Sequence, residues 1–367
     1  MSLVAKHVSA TGVSGRNGDS YATAYTFGEM LNQLNSGQGS GKLYNVWADG
    51  IYARPGNDTI ATGGTALAPV FIRGCRVVEG DGYLGRDSSG VLLTDNMPRI
   101  NYSSAVRLNA SASWVFLESL DVAGAANTAI IGTSNDSAII RCRATNSGIT
   151  NGVFGVGLSN RSVLFDSDIL ILGTGNGFQA VSAGTASARI IGNRISVASS
   201  NFKYAINTSS TAVIAKNTII GNGCVGILCN ATTSAVAILD NTIIGCSTGI
   251  SMVTGGVSLI TISNNIITDN NGFGIQSSGS PIMLFNTRFR NNISGTLANP
   301  SEIMSNTSYG NVLEDSGGPE TDYVDFASKN LKLKTTSPAA GSGTPYPASI
   351  GAFQFGPSEG GETSYSF

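Results

Sequence analysis

Between Ala188 and Phe289 the apolar positions recur with a fixed stride. Ile190, Ile214, Ile238 and Ile262 stand 24 residues apart, and Ile195, Ile219, Ile243 and Ile267 keep the same spacing. Asn193, Asn217, Asn241 and Asn265 fall between them at that interval. The units read RIIGNRIS, VIAKNTII, AILDNTII and TISNNIIT. Each is followed by a small-residue turn and a pair: Ala205-Ile206, Gly226-Ile227, Gly249-Ile250 or Gly274-Ile275. Short apolar strands with Gly, Ser, Asn and Thr corners, at a period in the low twenties, predict a parallel β-solenoid. A leucine-rich repeat would place leucine where this chain has isoleucine. At about 3.3 Å per strand residue, one period makes a coil of three short strands and three turns. The general handedness of parallel crossovers makes it a right-handed parallel β-helix.

The asparagine column fits that coil. Stacked coils lie about 4.8 Å apart, so identical side chains at one corner stand above one another. An amide offers both donors and acceptors to its neighbours in such a stack, and asparagine tolerates the left-handed backbone of a tight corner. The column is expected to continue upstream through Ser167, Cys142 and Ser119, and downstream to Asn286. Ten to twelve coils follow, a rod some 50 Å long.

The stretch TFGEMLNQLNSG is a helix signal. Thr26 and Glu29 form a capping box, Tyr25 and Met30 a hydrophobic staple, and Gly37 a stop. Phe27, Met30, Leu31 and Leu34 line one face. A solenoid's first coil exposes core and strand edge, so this helix is expected to cap it. The chain then divides into an N-terminal arm and capping helix over 1–45, the β-helix over 46–295, and a closing segment and tail over 296–367.

Composition narrows the classes. Only 12% of the 367 residues are charged, the formal net charge is −2, and there are 47 glycines. Without a basic stripe, nucleic acid is not an expected partner. No apolar run reaches the length of a membrane span, so no membrane is expected either. The start MSLVAKHVSATG lacks the apolar core of a secretory signal; folding in a cytoplasm is expected from the thiols that follow. Cys75, Cys142, Cys224, Cys229 and Cys246 have no zinc spacing and are expected to be reduced structural thiols.

Two stretches carry a resemblance. The segment LKLKTTSPAAGSGTPYPASIGAFQ has the order strand, Ser-Pro-Ala, Gly-rich spacer and Ile-Gly-Ala-Phe. It resembles the closing segment of the pectin-lyase-like right-handed β-helix proteins. The N-terminal helix followed by WADGIY resembles their opening. That superfamily contains lyases, hydrolases, tailspikes and inert structural proteins, so the resemblance implies a fold rather than an activity. The Asn-Thr-Asp, Asp-Asp and Gly-His-Gly motifs of its polygalacturonase-like members are absent, and the single histidine is His7.

The best carboxylate pair is Asp166-Ser167-Asp168, whose acids flank an inward residue. In the expected stacking Asp168 lies between Arg143 and Arg194. Asp166 lies beside Arg141, itself next to Glu118, and Lys216 lies against Asp240. Alternating charge on adjacent rungs is what a sheet surface adopts to avoid like-charge contact. Carboxylates compensated by arginine make poor calcium ligands and poor general acids. Asp166 and Asp168 are therefore weak catalytic candidates, and neither metal nor cofactor is expected. Glu79, Asp81 and Asp87 offer a weaker cation loop. Trp47 and Trp114 are expected in the core, and Phe154, Phe178, Phe202 and Phe273 at corners.

The function expected is a non-enzymatic structural protein of a tailed-bacteriophage virion, decorating or cementing the capsid in preference to the tail. It would assemble in the host cytoplasm. Its partners would be capsid or tail proteins, with a homotrimer and a surface polysaccharide as further candidates. The alternatives are a tailspike gripping host polysaccharide and a secreted polysaccharide lyase.

Overall fold

The computed structural model describes residues 3–13, 15–102, 107–125, 129–148, 154–173, 179–184, 187–198, 203–230, 234–253, 259–278 and 281–298. It also describes 313–315, 323–325, 330–333 and 337. The chain winds as a parallel β-solenoid whose strands stack into three sheets of 11, 10 and 11 strands. We number the sheets in the order in which each coil visits them. In one regular coil Ala212–Ala215 lies in sheet 1, Thr218–Ile220 in sheet 2 and Val225–Cys229 in sheet 3.

The period-24 isoleucines are the reason the coil closes. Ile190, Ile214, Ile238 and Ile262 are register partners in sheet 1, and Ile195, Ile219, Ile243 and Ile267 in sheet 2. All eight are buried in one continuous core. The small residue before each sheet-3 isoleucine has a steric cause. A Cβ added to Gly249 would lie 2.4 Å from Ile267 Cγ2, and one on Gly226 would lie 2.6 Å from Ile243 Cγ2. The interior is packed wall to wall, with no volume for another methyl there.

The corner between sheets 1 and 2 has two residues. The first adopts positive φ: Arg141, Asp166, Gly192, Lys216, Asp240 and Asn264 all do. The second points inward, and here the ladder stands. Asn193, Asn217, Asn241 and Asn265 are at most 2% exposed. The Asn217 backbone N–H and Nδ2 both donate to Asn241 Oδ1, at 2.9 and 3.0 Å. Asn241 repeats the pair onto Asn265, and each Nδ2 also donates to a carbonyl of the preceding coil. The left-handed backbone thus belongs to the residue before the asparagine, not to the asparagine itself.

Upstream, Ser167 and Cys142 continue the stack. The Ser167 N–H donates to Asn193 Oδ1, and the Cys142 N–H to Ser167 Oγ. At the two ends the sequence expectation is one residue out of step. Ser119 has φ 54° and Asn286 φ 38°, so both occupy the left-handed column. Leu120 and Thr287 take the inward place: both are fully buried, the Leu120 carbonyl accepts from the Arg143 N–H, and the Thr287 hydroxyl donates to the Phe285 carbonyl. The corner slides when coil length changes, and residue type alone does not reveal by how much.

The N-terminal end is closed as expected. Helix α1, Phe27–Gln33, starts with Thr26 Oγ1 accepting from the Glu29 N–H at 3.1 Å. Phe27, Met30, Leu31 and Leu34 join the core, and Gly37 turns the chain at φ 82°. Asn35 accepts from the Ala61 N–H and donates to the Thr59 carbonyl, which satisfies the open edge of the first sheet-3 strand, Asp58–Ile60. The arm contributes more than a cap. Val4–Val8 pairs in parallel with Lys42–Trp47 and forms the first rung of sheet 1. At the other end Leu313–Asp315 adds a rung to sheet 2, and Tyr323–Asp325 and Asn330–Leu333 form an antiparallel pair. Among the described residues no helix is long and apolar enough to cross a membrane.

Candidate functional site

Asp166 and Asp168 sit on either side of the inward Ser167 at the corner of sheets 1 and 2. The register places Asp168 between Arg143 and Arg194, as the charge pattern predicts. Arg141 Nε approaches Asp166 at 3.8 Å, and Arg141 Nη1 approaches Glu118 at 3.8 Å. These stacked contacts are long. The short ones come from a loop that the charge pattern does not mark.

That loop runs from Arg76 to Pro98, between the sheet-1 strand Val70–Cys75 and the sheet-2 strand Arg99–Tyr102. It folds across two intervening rungs and lowers Arg86 onto the acid pair. Arg86 Nε donates to Asp166 Oδ1 at 2.8 Å and Nη1 donates to Asp168 Oδ1 at 2.5 Å. Tyr83 donates its hydroxyl to Asp166 Oδ2 at 2.9 Å, and the Leu92 N–H donates to Asp168 Oδ2 at 2.8 Å. The Arg141 guanidinium lies 4.3 Å from the Tyr83 ring centroid, and Arg143 Nη1 reaches Thr94 Oγ1 at 3.5 Å. The Asp168 side chain is 0% exposed.

Electrostatics and burial oppose each other here. Burial works to lower the pKa of Arg86, but Asp168 and Asp166 outweigh it and hold the guanidinium charged. Burial raises the Tyr83 phenol to about 12, with Asp166 adding to the shift, so it donates rather than accepts. Arg194 is pulled down by burial against the attraction of Asp168. Asp121, register partner of Arg143 on the other side, is raised by burial in spite of Arg143 and Arg99. The arrangement is a desolvated ion cluster in which each Asp168 oxygen already accepts a hydrogen bond. A carboxylate with both oxygens so engaged has little lone-pair capacity left for a cation.

The remaining candidates do not converge. Asp81 accepts from the N–H groups of Arg76, Val77 and Val78, and Asp87 from those of Ser89 and Val91. Both acids shape the loop itself. Glu79 turns to His7 Nε2, 3.5 Å away, and to Arg73. Among the described residues no cluster of three His, Cys, Asp or Glu could hold a metal ion. Trp47 is buried and donates Nε1–H to His7 Nδ1 at 3.1 Å. Trp114 departs from expectation: it is half-buried at φ 61°, in the corner ahead of Val115. Phe273 is half-buried on sheet 3, while Phe178, Phe202 and the Phe154 side chain lie outside the described residues. Lys216 acts on Asp240 through charge, although burial dominates and raises that acid.

All five cysteines are free and buried. Two of them belong to a second stack, between sheets 2 and 3, that the spacing did not reveal. Cys224, Cys246, Asn270 and Asn292 occupy equivalent places on successive coils. The Cys246 N–H donates to Asn270 Oδ1 at 2.8 Å, and Asn270 Nδ2 to Asn292 Oδ1 at 2.7 Å. The Cys246 thiol is held protonated by its hydrogen bond to Cys224 and by burial. Its intervals of 22, 24 and 22 residues mix two residue types, which hid it from a search for one repeated letter.

A family model described as "Right handed beta helix region" matches residues 129–294. No curated protein matches the chain in sequence. Among solved structures, pectate lyase Pel9A superposes with a TM-score of 0.58 at 12% identity, covering 96% of this chain and 97% of that one. A rhamnogalacturonan lyase gives 0.46 at 11% identity over 90% and 96%. PfbA, a surface adhesin of Streptococcus pneumoniae, gives 0.36 at 10% identity over 78% and 88%. The chain is a right-handed β-helix similar in fold to pectate lyase.

Proposed function

We propose that the chain is a non-catalytic structural rod of a tailed-bacteriophage virion, attached to the capsid surface. The observation that carries the non-catalytic reading is the occupation of the acid pair: Arg86, Tyr83 and the Leu92 N–H take up the oxygens of Asp166 and Asp168. The virion setting is supported by the low charged fraction and by the resemblance of the chain's two ends to a superfamily that includes inert structural members. The test has two arms. Purified protein incubated with polygalacturonate or alginate, with and without calcium, should release no unsaturated product. The protein should also be found by mass spectrometry in purified virions that encode it. Steady formation of unsaturated uronate, abolished in Asp168→Asn, would replace this reading with a lyase.

A second reading, grip of an acidic surface polysaccharide without cleavage, is favoured by one observation. Arg143 Nε and Arg194 Nε are buried and without a hydrogen-bond partner on the two sides of Asp168. A polyuronate carboxylate could satisfy such donors. Titration calorimetry with polygalacturonate, compared between the wild type and Arg194→Ala, decides it.

A further inference from the structure

The three sheets present different outer faces. On sheet 3 one outward column runs through Ser182, Asn207, Leu228, Ser251 and Gln276 and is mostly polar, and the other mixes Gln179, Tyr204, Val225 and Thr248. On sheet 2 it begins with Asp121, Arg143, Asp168 and Arg194, partly under the loop, and continues through Thr218, Thr242 and Ile266, all buried. Sheet 1 is different. Its two outward columns are dominated by residues such as Phe71, Phe116, Ile140, Val213, Leu239 and Phe285, each half-buried and still reached by solvent. Phe71 and Phe116 stack at 4.8 Å. Three charged side chains stand in these columns: Arg73 and Glu118, which are register partners of opposite sign, and Arg189 farther along.

We infer that the outer face of sheet 1 joins two copies of this chain side by side. The strip from Leu43 to Met283 spans ten rungs, about 43 Å at 4.8 Å per rung, and is about 13 Å wide for a four-residue strand. That is roughly 550 Å² per copy and 1,100 Å² for a pair, which clears the ~1,000 Å² expected of a specific interface. It is also at the upper limit of the apolar patch an ordinary monomer leaves to water, ~300–600 Å². The shape selects the occupant. A second rod presents the same straight columns at the same spacing, so it can cover the whole length. A globular partner would touch a few rungs. The few charges are of both signs, so the strip calls for no partner of opposite charge and the copies repel each other little there.

The inference stands apart from the virion reading, because it concerns the purified chain alone. Sedimentation velocity over a concentration series should show a dimer or larger species. Val213→Lys combined with Leu239→Lys should weaken self-association by about tenfold or more, since each copy would desolvate charges against an apolar face. Gln276→Lys, on the sheet-3 face, should leave the mass unchanged. Circular dichroism melts establish that the variants are folded. If the double variant does not fold, Thr261→Lys, in the same column, takes its place. A wild type that sediments as a monomer at every concentration overturns the inference, and so does an unchanged mass in a folded Lys variant.

Discussion

The corner that joins sheet 1 to sheet 2 is held by different means before and after Gly192. In the downstream coils each asparagine bonds to the next, so every rung carries its own fastening and touches only its neighbours. In the upstream coils the inward places are Leu120, Cys142 and Ser167. Single backbone N–H bonds still link Cys142 to Ser167 and Ser167 to Asn193. The added fastening comes from outside, through Arg86 on a loop about 80 residues distant in the chain. The first is a local solution, repeated; the second is a long-range solution, made once. A repeated local device tolerates the loss of one unit, whereas a single ion cluster concentrates its stabilisation in a few groups. The regular half consequently shows a strict period, and the irregular half a loop and a set of charges.

The most severe test of this contrast is Arg86→Ala. It leaves the fully buried Asp168 without its nearest cation and should cost about 3–5 kcal/mol, read from urea or thermal unfolding. A loss below about 1 kcal/mol would show that Arg143 and Arg194 hold the acids by themselves. Asn241→Leu should cost somewhat less, about 2–3 kcal/mol. It conserves volume but leaves the Asn217 N–H and the Ile214 carbonyl unsatisfied. The two substitutions share no partner, so their effects should add to within about 0.5 kcal/mol. A larger coupling would mean that the ladder and the ion cluster act on one another through the shared core.

Much of the regular half was legible in advance. The strict 24-residue stride of Asn and Ile fixes strand order, register and core face together, because in a solenoid all three follow from one period. The Asp168 column between Arg143 and Arg194, at intervals of 25 and 26, was legible because Cys142 and Ser167 before it could be set on the ladder. What the stride does not carry was not. Ser119 and Asn286 resemble ladder residues in chemistry, but the corner at each end is displaced by one residue, and Leu120 and Thr287 stand in their stead. Arg86 and Tyr83 belong to an aperiodic loop, and no local pattern records which distant rung such a loop will meet. The Cys224–Asn292 stack was hidden because cysteine and asparagine fill one column through different chemistry.

Two smaller effects sharpen the comparison within the downstream coils. Burial raises Asp240 from its ordinary value, against a hydrogen bond with Asn264 and the attraction of Lys216. A raised acid penalises the folded state once the group ionises, so the penalty is absent below the unfolded pKa and grows as pH rises through the interval up to the folded one. Asp240→Asn should therefore stabilise the protein at neutral pH and have no benefit at low pH. The backbone accommodates it, since Asn264 holds the same place in the next coil at φ 55°. Melting curves at the two pH values check the sign. Asn222→Ala, in an exposed corner where the side chain donates to the Ala198 carbonyl, should change stability by no more than about 0.5 kcal/mol. An effect as large as that of Asn241→Leu would mean that the outer corners carry as much as the inner stack.

The reach of the Arg76–Pro98 loop has a mechanical consequence. A solenoid pulled from its two ends is a series of springs, each loaded equally and each free to give way alone. The loop leaves the chain at the rung of Val70–Cys75 and is tied at the rung of Val163–Phe165, passing the rungs of Val115–Glu118 and Ala138–Ile140. It is a strap in parallel with those springs, and tension bypasses the rungs beneath it until the arginine lets go. A single molecule stretched along its axis should then lengthen in small, even steps while the asparagine coils peel apart. The strapped block should yield in one larger step, at higher force.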